Sequence, residues 1–237
     1  MEVAGRAVAH AHKAVRDLIR PGVTTEELDI AADKAIRADR CVPSFLGYHG
    51  YPAVICASPN DVIVHGIPGS YQLREGDLLA VDVGAIFEGY HGDAAFSVVV
   101  GEGSEEVERL NRVTEEALWA GIEVTVPDSR IGDVGAAVEA VGRREGYGIV
   151  EGYGGHGIGR QMHEDPHVPN LGPAGRGMKL KTGMAICIEP MFCLGAAGTK
   201  VDRDGWTVRS VDGSWSAHWE HTIALTPDGV VVTTLPD

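Results

Sequence analysis

The segment LLAVDVGAIF-EGYHG-DAAFSVVV (78–100) decides the predicted fold, because two apolar runs flank a short connection that contains glycine. Runs rich in Val, Ile and Phe on either side of such a turn predict an antiparallel β-hairpin. Asp82 lies in the middle of the first run, and Asp93 opens the second. Positions across a hairpin can face each other, so we expect these two carboxylates to share one site.

Acidic residues also interrupt two other apolar runs: Glu189 in GMAICIEPMF (183–192) and Glu220 in SAHWEHTIAL (216–225). An ionised carboxylate in a buried strand loses its hydration, which is costly unless a partner replaces the water. A single acidic residue in a strand is more often a surface residue, and a lone His156 among glycines is more often a loop histidine. Their conjunction favours a shared cation.

We therefore expect a metal site whose ligands are Asp82, Asp93, His156, Glu189 and Glu220. Four carboxylates and one imidazole are the donors that two divalent ions require, and this donor set suits Mn, Fe, Co or Zn. Two such ions, roughly 3.5–4 Å apart, can hold a hydroxide and polarise a carbonyl together. The pattern predicts a hydrolytic centre.

The remaining segments predict an α+β chain. Apolar spacing near 3.6 residues predicts helices over 2–20 and from Thr24 onward, and further helices are expected near 105–123 and 130–145. A strand at 183–192 and a hairpin at 205–225, turned by Asp212-Gly213, follow.

The order helix, helix, strands occurs twice along the chain. We therefore expect a single domain, 1–237, composed of two pseudo-symmetric halves of about 1–115 and 116–237.

The composition is that of an ordinary globular protein, with 44% hydrophobic and 23% charged residues. A net charge of −14 argues against a nucleic-acid site, which needs Lys and Arg to neutralise phosphates. No run approaches the roughly 20 apolar residues that span a bilayer, so no membrane segment is expected. Cysteines lack CxxC spacing and are expected to be reduced thiols of a cytoplasmic protein: Cys41, Cys56, Cys187 and Cys193.

Six segments, in unbroken order, resemble the type I methionine aminopeptidases of the pita-bread metallopeptidase superfamily. They are FLGYHGYP (45–52), NDVIVHGIP (60–68), DVGAIFEGYHGD (82–93), GGHGIGRQMHEDP (154–166), IEPM (188–191) and SAHWEHT (216–222). HGIP and GYHGYP are specific to the methionine branch, whereas the five ligands mark the wider superfamily. The resemblance implies a pita-bread fold, in which two pseudo-symmetric halves form a central curved antiparallel sheet flanked by helices.

The resemblance also implies a reaction: removal of the N-terminal methionine of nascent polypeptides whose second residue is small and uncharged. Asp93 and Glu220 would bridge two metal ions, and a metal-bound hydroxide would attack the first peptide carbonyl. Glu189 would transfer the proton, His163 would stabilise the tetrahedral intermediate, and His65 would contact the scissile amide. Without the resemblance, His65 and His163 are equally well explained as hydrogen-bonded loop histidines.

The methionine side chain requires a narrow apolar pocket. The resemblance assigns to the substrate-binding site Phe45, Tyr48, Tyr51, Cys56, His65, Met162, His163 and Trp206. Phe45 and Met162 depart from the residue types expected in this branch, which are a cysteine and an aromatic residue, so the pocket is expected to differ in shape.

Two other functions stay open at this stage. The first is an Xaa-Pro aminopeptidase or prolidase, although such enzymes usually carry an additional N-terminal domain for which this chain has no room. The second is a non-catalytic pita-bread binding module, a class whose members lose ligands that are all present here. A monomer that makes at most a transient contact with the ribosome is the expectation.

Overall fold

The computed structural model describes residues 1–236, which form four α-helices, one nine-stranded sheet and two three-stranded sheets. The helices are α1 (Glu2–Arg16), α2 (Thr25–Ala38), α3 (Glu105–Glu123) and α4 (Ile131–Glu145). The strands are β1 (Val42–Pro43), β2 (Ile55–Pro59), β3 (Val62–Val64), β4 (Leu78–Phe87), β5 (Tyr90–Val99), β6 (Gly148–Ile149), β7 (Gly154–Gly157), β8 (Glu164–Pro169), β9 (Ala185–Ile188), β10 (Met191–Cys193), β11 (Thr199–Val201), β12 (Val208–Ser210), β13 (Ser216–His218), β14 (Glu220–Thr226) and β15 (Gly229–Val232).

The helices begin where the sequence predicts. Thr24 and Glu27 form a reciprocal capping box at the start of α2, and the Ser104 hydroxyl caps α3. α1 ends at Arg16, earlier than expected from its apolar spacing. The amides of Leu18 and Ile19 bond to carbonyls three residues back, so a tighter turn replaces the last α-helical turn.

The predicted hairpin is confirmed. β4 and β5 pair antiparallel along their whole length, from Leu78 opposite Val99 to Phe87 opposite Tyr90. They lie in the large curved sheet, whose strand order is β1-β4-β5-β14-β9-β7-β8, with β2 also on β4 and β15 also on β14. The predicted α+β class with a curved antiparallel sheet flanked by helices is therefore confirmed.

Successive side chains along each strand point to opposite faces of this sheet, and one of the two faces is covered by the helices. Val81 and Val83 belong to the core beneath α1 and α2, so Asp82 between them points to the opposite side. Ile186 and Ile188 belong to the core beneath α3 and α4. The helices thus cover one face, and the polar residues of the central strands are gathered on the other.

Two strand predictions are wrong. The expected hairpin at 205–225 does not form, because β12 pairs with β3 and β11 while β13 pairs with β10. The Asp212 carboxylate accepts hydrogen bonds from the amides of Ser214 and Ala196, which ties the turn to a neighbouring loop and leads its two arms into different sheets. The expected strand 183–192 is interrupted between β9 and β10, at Glu189 and Pro190, where proline removes a ladder donor.

The division into halves of about 1–115 and 116–237 stays a prediction; residue 115 lies within α3. No helix in residues 1–236 is long and apolar enough to cross a membrane. The four cysteines are buried and form no disulfide with one another.

Candidate metal and substrate site

Asp82 and Asp93 lie on the same side of the β4–β5 hairpin. Asp82 is opposite Ala95, and Asp93 is opposite Gly84, so the two carboxylates are diagonal neighbours rather than directly opposed. The expectation that they are directly opposite is therefore wrong by two residues, although both side chains lie on the same face of the hairpin.

The other three expected ligands come from the second half of the chain. Glu189 follows β9, Glu220 opens β14 opposite Ala95, and His156 lies on β7. The His156 Nε2 atom is 3.8 Å from Asp93 Oδ2 and 3.9 Å from Glu189 Oε1. Its Nδ1 atom lies 2.9 Å from the carbonyl oxygen of Gly157, which fixes the ring when Nδ1 carries the proton.

Glycine is required beside His156 because the neighbouring backbones are close. A Cβ atom on Gly155 would lie 2.0 Å from the carbonyl oxygen of Cys187, and one on Gly157 would lie 2.3 Å from that of Asp165. β7 therefore approaches β9 and β8 more closely than any side chain would allow, and this brings the imidazole to the carboxylates.

Several oxygen atoms at the centre of this group have no hydrogen-bond partner within residues 1–236. They are Asp82 Oδ1, Asp93 Oδ1 and Glu220 Oε1, and all three are buried. Burial, reinforced by the neighbouring carboxylates, raises the pKa of Asp93 and of Glu220 well above their ordinary values. Burial likewise raises the pKa of Asp82 to about 7. Unpartnered, buried carboxylate oxygens around one imidazole fit a divalent cation, which would supply the missing partner.

A cavity opens onto this group. Its thirteen lining residues are Phe45, Tyr48, Tyr51, Cys56, His65, Asp82, Asp93, His156, Met162, His163, Glu189, Trp206 and Glu220. These are the same thirteen residues that the sequence analysis assigns to the site. The structure therefore brings all of them together around one space.

One end of the cavity is apolar. Phe45, Tyr51, Cys56 and Met162 form a buried cluster, against which Trp206 packs with its ring edge-on to Tyr51 at 5.1 Å between centroids. The Tyr51 hydroxyl donates to backbone carbonyl oxygens at 3.0 and 3.1 Å. Its polar atom is thus satisfied, and the ring presents only apolar surface to the cavity.

Two histidines line the opposite, polar part of the cavity. His163 Nδ1 is 2.8 Å from the hydroxyl of Tyr48, and burial lowers the pKa of His163 to about 4, with the neighbouring His156 adding to the effect. Burial also lowers the pKa of His65. The backbone of His65 has a φ of 58°, a left-handed conformation that is uncommon for residues other than glycine.

Two further residues of this region were not predicted from the sequence. His218 on β13 is 2% exposed, and its Nε2 atom lies 3.4 Å from Glu189 Oε2. Cys187 offers a sulfur atom within 4.8 Å of donor atoms of Asp93, His156 and Glu220. Each precedes an expected ligand by two positions, so the period-two alternation of strands was the signal available for finding them.

Comparison with known proteins agrees with this geometry. The family model described as metallopeptidase family M24 matches residues 1–227. The chain belongs to this family and is therefore an enzyme that depends on a divalent metal.

The most similar relatives narrow the family further. Methionine aminopeptidase 1 of Mycobacterium tuberculosis is 50% identical over 242 residues, a match that covers 99% of this chain and 91% of the relative. The methionine aminopeptidase of Clostridium perfringens is 43% identical, with 99% and 94% covered. The chain thus falls among the type I methionine aminopeptidases of the family.

Solved structures give the same picture of the fold. The crystal structure of methionine aminopeptidase from Thermotoga maritima matches with a TM-score of 0.97 at 42% identity, covering 99% of this chain and 95% of that one. Prolidase from Pyrococcus furiosus matches with a TM-score of 0.79 at 20% identity, and the match covers 63% of that chain. The prolidase resemblance is one of fold alone.

Proposed function

We propose that this protein removes the N-terminal methionine from nascent polypeptides and peptides whose second residue is small and uncharged. The observation that carries the proposal is the single cavity in which an apolar end adjoins the buried carboxylates, with His65 and His163 among its lining residues. The high identity to methionine aminopeptidases over nearly the whole chain supports it.

The apolar end of the cavity suits a methionine side chain. A flexible thioether fits an irregular apolar space walled by aromatic rings and by Met162, which can adjust its own conformation. Phe45 occupies a position where this branch usually has a cysteine, so we expect the larger side chain to change the shape of the pocket on that side.

The carboxylates and His156 would hold two divalent ions, of Co, Mn, Fe or Zn. When bound, the ions would lower the pKa of a water molecule and polarise the scissile carbonyl. The free α-amino group of the substrate would lie near Asp82, which restricts cleavage to a chain terminus. Glu189 lines the same cavity, where its carboxylate would take a proton and pass it to the departing amine.

The two histidines would act on the peptide group itself. With its Nδ1 accepting from Tyr48, a neutral His163 carries its proton on Nε2 and can donate to the carbonyl oxygen as negative charge develops there. His65 would contact the scissile amide. A cytoplasmic monomer, with at most transient ribosome contact, is the setting in which we expect this activity.

A peptide assay with metal titration tests the proposal. Metal is first removed from the protein with a chelator, and Mn(II), Fe(II), Co(II) or Zn(II) is then added. The release of free methionine is measured from Met-Ala-Ser and from a Met-Lys peptide. We expect cleavage of Met-Ala-Ser alone, dependent on added metal, and almost none by Glu189→Ala. Hydrolysis of Xaa-Pro dipeptides with Met-Ala-Ser untouched would overturn the proposal in favour of a prolidase. Binding of peptide without any cleavage would favour the binding module.

A further inference from the structure

His218 is a buried histidine that the proposed reaction does not use. It ends β13, is 2% exposed, and does not line the substrate cavity. Its backbone is fixed on both sides by Ser97, whose hydroxyl donates to the His218 carbonyl at 2.9 Å and accepts from the His218 amide at 3.0 Å. The imidazole is thus carried on a rigid segment.

The Nε2 atom of this imidazole is buried and has no hydrogen-bond partner within residues 1–236. Its nearest acidic neighbours are Glu189 Oε2 at 3.4 Å and Glu220 Oε2 at 3.9 Å. A buried ring nitrogen without a hydrogen-bond partner is unfavourable. The acceptors beside His218 Nε2 are these carboxylate oxygens.

The two oxygen atoms of Glu189 face different histidines. Oε1 lies 3.9 Å from His156 Nε2, whereas Oε2 lies 3.4 Å from His218 Nε2. His156 is one of the expected metal ligands. Glu189 Oε1, which faces His156, is therefore the oxygen atom that would bind an ion together with His156. His218 reaches Glu189 from the side away from His156.

We propose that His218 is a positioning residue of the metal centre: its Nε2–H holds Glu189 through Oε2 and leaves Oε1 directed to the ion beside His156. The inference rests on the proposed metal centre. Hydrogen bonds of catalytic groups are often long before the ligands bind, so a separation of 3.4 Å between His218 Nε2 and Glu189 Oε2 in the metal-free chain is compatible with this role.

The test compares His218→Leu, which removes the donor, with His218→Gln, which keeps an N–H group. His12→Gln is the matched control, because His12 is also a buried histidine but lies on α1 at the other face of the sheet. Removing the group that orients a metal ligand typically lowers metal affinity or activity by about 10–100-fold. We expect that loss in Mn(II) affinity, by calorimetry, and in kcat for His218→Leu. KM should change little, because His218 does not contact the substrate cavity. His218→Gln should recover most of both losses.

A second measurement observes the His218 imidazole in the wild-type protein. In the Zn(II)-loaded protein with ¹⁵N-labelled histidine, the His218 Nε2 resonance, assigned by its absence in His218→Gln, should be that of a protonated nitrogen. A metal-bound Nε2 would make His218 a ligand and overturn the positioning role. Equal Mn(II) affinity and kcat in His218→Leu and wild type would also overturn it. A wild-type protein that neither binds Mn(II) nor cleaves Met-Ala-Ser would instead refute the proposed function, and this inference with it.

Discussion

At the scale of single residues, the contact between Tyr48 and His163 determines how the imidazole can act. Its low pKa, about 4, keeps the ring neutral at neutral pH. When Nδ1 accepts from the Tyr48 hydroxyl, the proton of the ring lies on Nε2, which can then donate. Loss of a donor to a developing oxyanion costs roughly 10²–10³ in kcat. We therefore expect His163→Ala to lower kcat by that factor in the peptide assay, with the thermal unfolding midpoint nearly unchanged.

Tyr48→Phe gives the complementary test at the same scale. It keeps the ring but removes the hydroxyl 2.8 Å from His163 Nδ1, so the imidazole keeps its place and loses its preferred tautomer. We expect a smaller loss of kcat, about 10-fold, in keeping with a group that orients a catalytic side chain. The two substitutions act through one group, so His163→Ala combined with Tyr48→Phe should be no slower than His163→Ala alone. Additive losses would show that Tyr48 acts independently of His163.

At the scale of secondary-structure elements, Gly84 couples the β4–β5 hairpin to the substrate pocket. It lies opposite Asp93, and a Cβ atom there would be 2.7 Å from Phe45 Cε1 and 2.8 Å from Ser44 Cβ. Overpacking of this kind costs typically about 1–3 kcal/mol. We expect Gly84→Ala to lower the free energy of unfolding by that amount and to lower kcat/KM, because Phe45 is displaced within the pocket.

A double-mutant cycle checks the cause of this effect. Phe45→Ala should cost less stability in the Gly84→Ala background than in the wild type, giving a favourable coupling of about 0.5–3 kcal/mol. Gly69→Ala is the control, because a Cβ atom on Gly69 would have no neighbouring atom within 4 Å. If urea unfolding gave Gly84→Ala and Gly69→Ala the same stability, close packing would not be the reason for glycine at position 84.

The elements also show what the sequence could and could not predict. The β4–β5 hairpin and the four helices follow from local signals: apolar periodicity, the Thr24 cap and a glycine-containing turn. The hairpin at 205–225 could not be predicted correctly, because the Asp212-Gly213 turn does not specify which strand each arm will pair with. The five metal ligands were predicted from acidic residues within apolar runs and from His156 among glycines, whereas the substrate-binding residues were predicted only through the family resemblance. His218 was not predicted, since its position beside Glu189 depends on the pairing of β13 with β10.

At the scale of the whole molecule, the metal centre makes stability depend on pH. Asp93 and Glu220 have raised pKa values in the folded chain, and that of Asp82 is about 7, so without metal the folded state holds more protons than the unfolded state. These groups make the metal-free protein less stable as pH rises above the ordinary carboxyl pKa of about 4. His12 and His221 act in the opposite sense: burial lowers their pKa values to about 3 and about 4, so their contribution rises with pH until about 6.5.

Above about pH 7 most unfolded-state histidines are already neutral, so the histidine contribution is nearly complete and the carboxylates dominate, which gives a testable window. We expect the unfolding midpoint of the metal-free protein to fall between about pH 7 and 8, while that of the Mn(II)-loaded protein stays nearly constant, because the ion keeps the carboxylates ionised. At 100 times its Kd, an ion that binds only the folded state adds about 2.7 kcal/mol. In a domain of this size that raises the midpoint by roughly 5–10 °C.

Differential scanning fluorimetry across this pH range, with chelator or with Mn(II), measures both effects. Glu220→Gln isolates their source, because it removes a buried carboxylate that has an unpartnered oxygen in residues 1–236. Its metal-free form should be more stable than the metal-free wild type above neutral pH, and Mn(II) should raise its midpoint far less. A wild-type protein whose metal-induced shift did not grow with pH would show that the carboxylates are already ionised before the ion binds. A Glu220→Gln protein stabilised by Mn(II) as much as wild type would place the ion elsewhere.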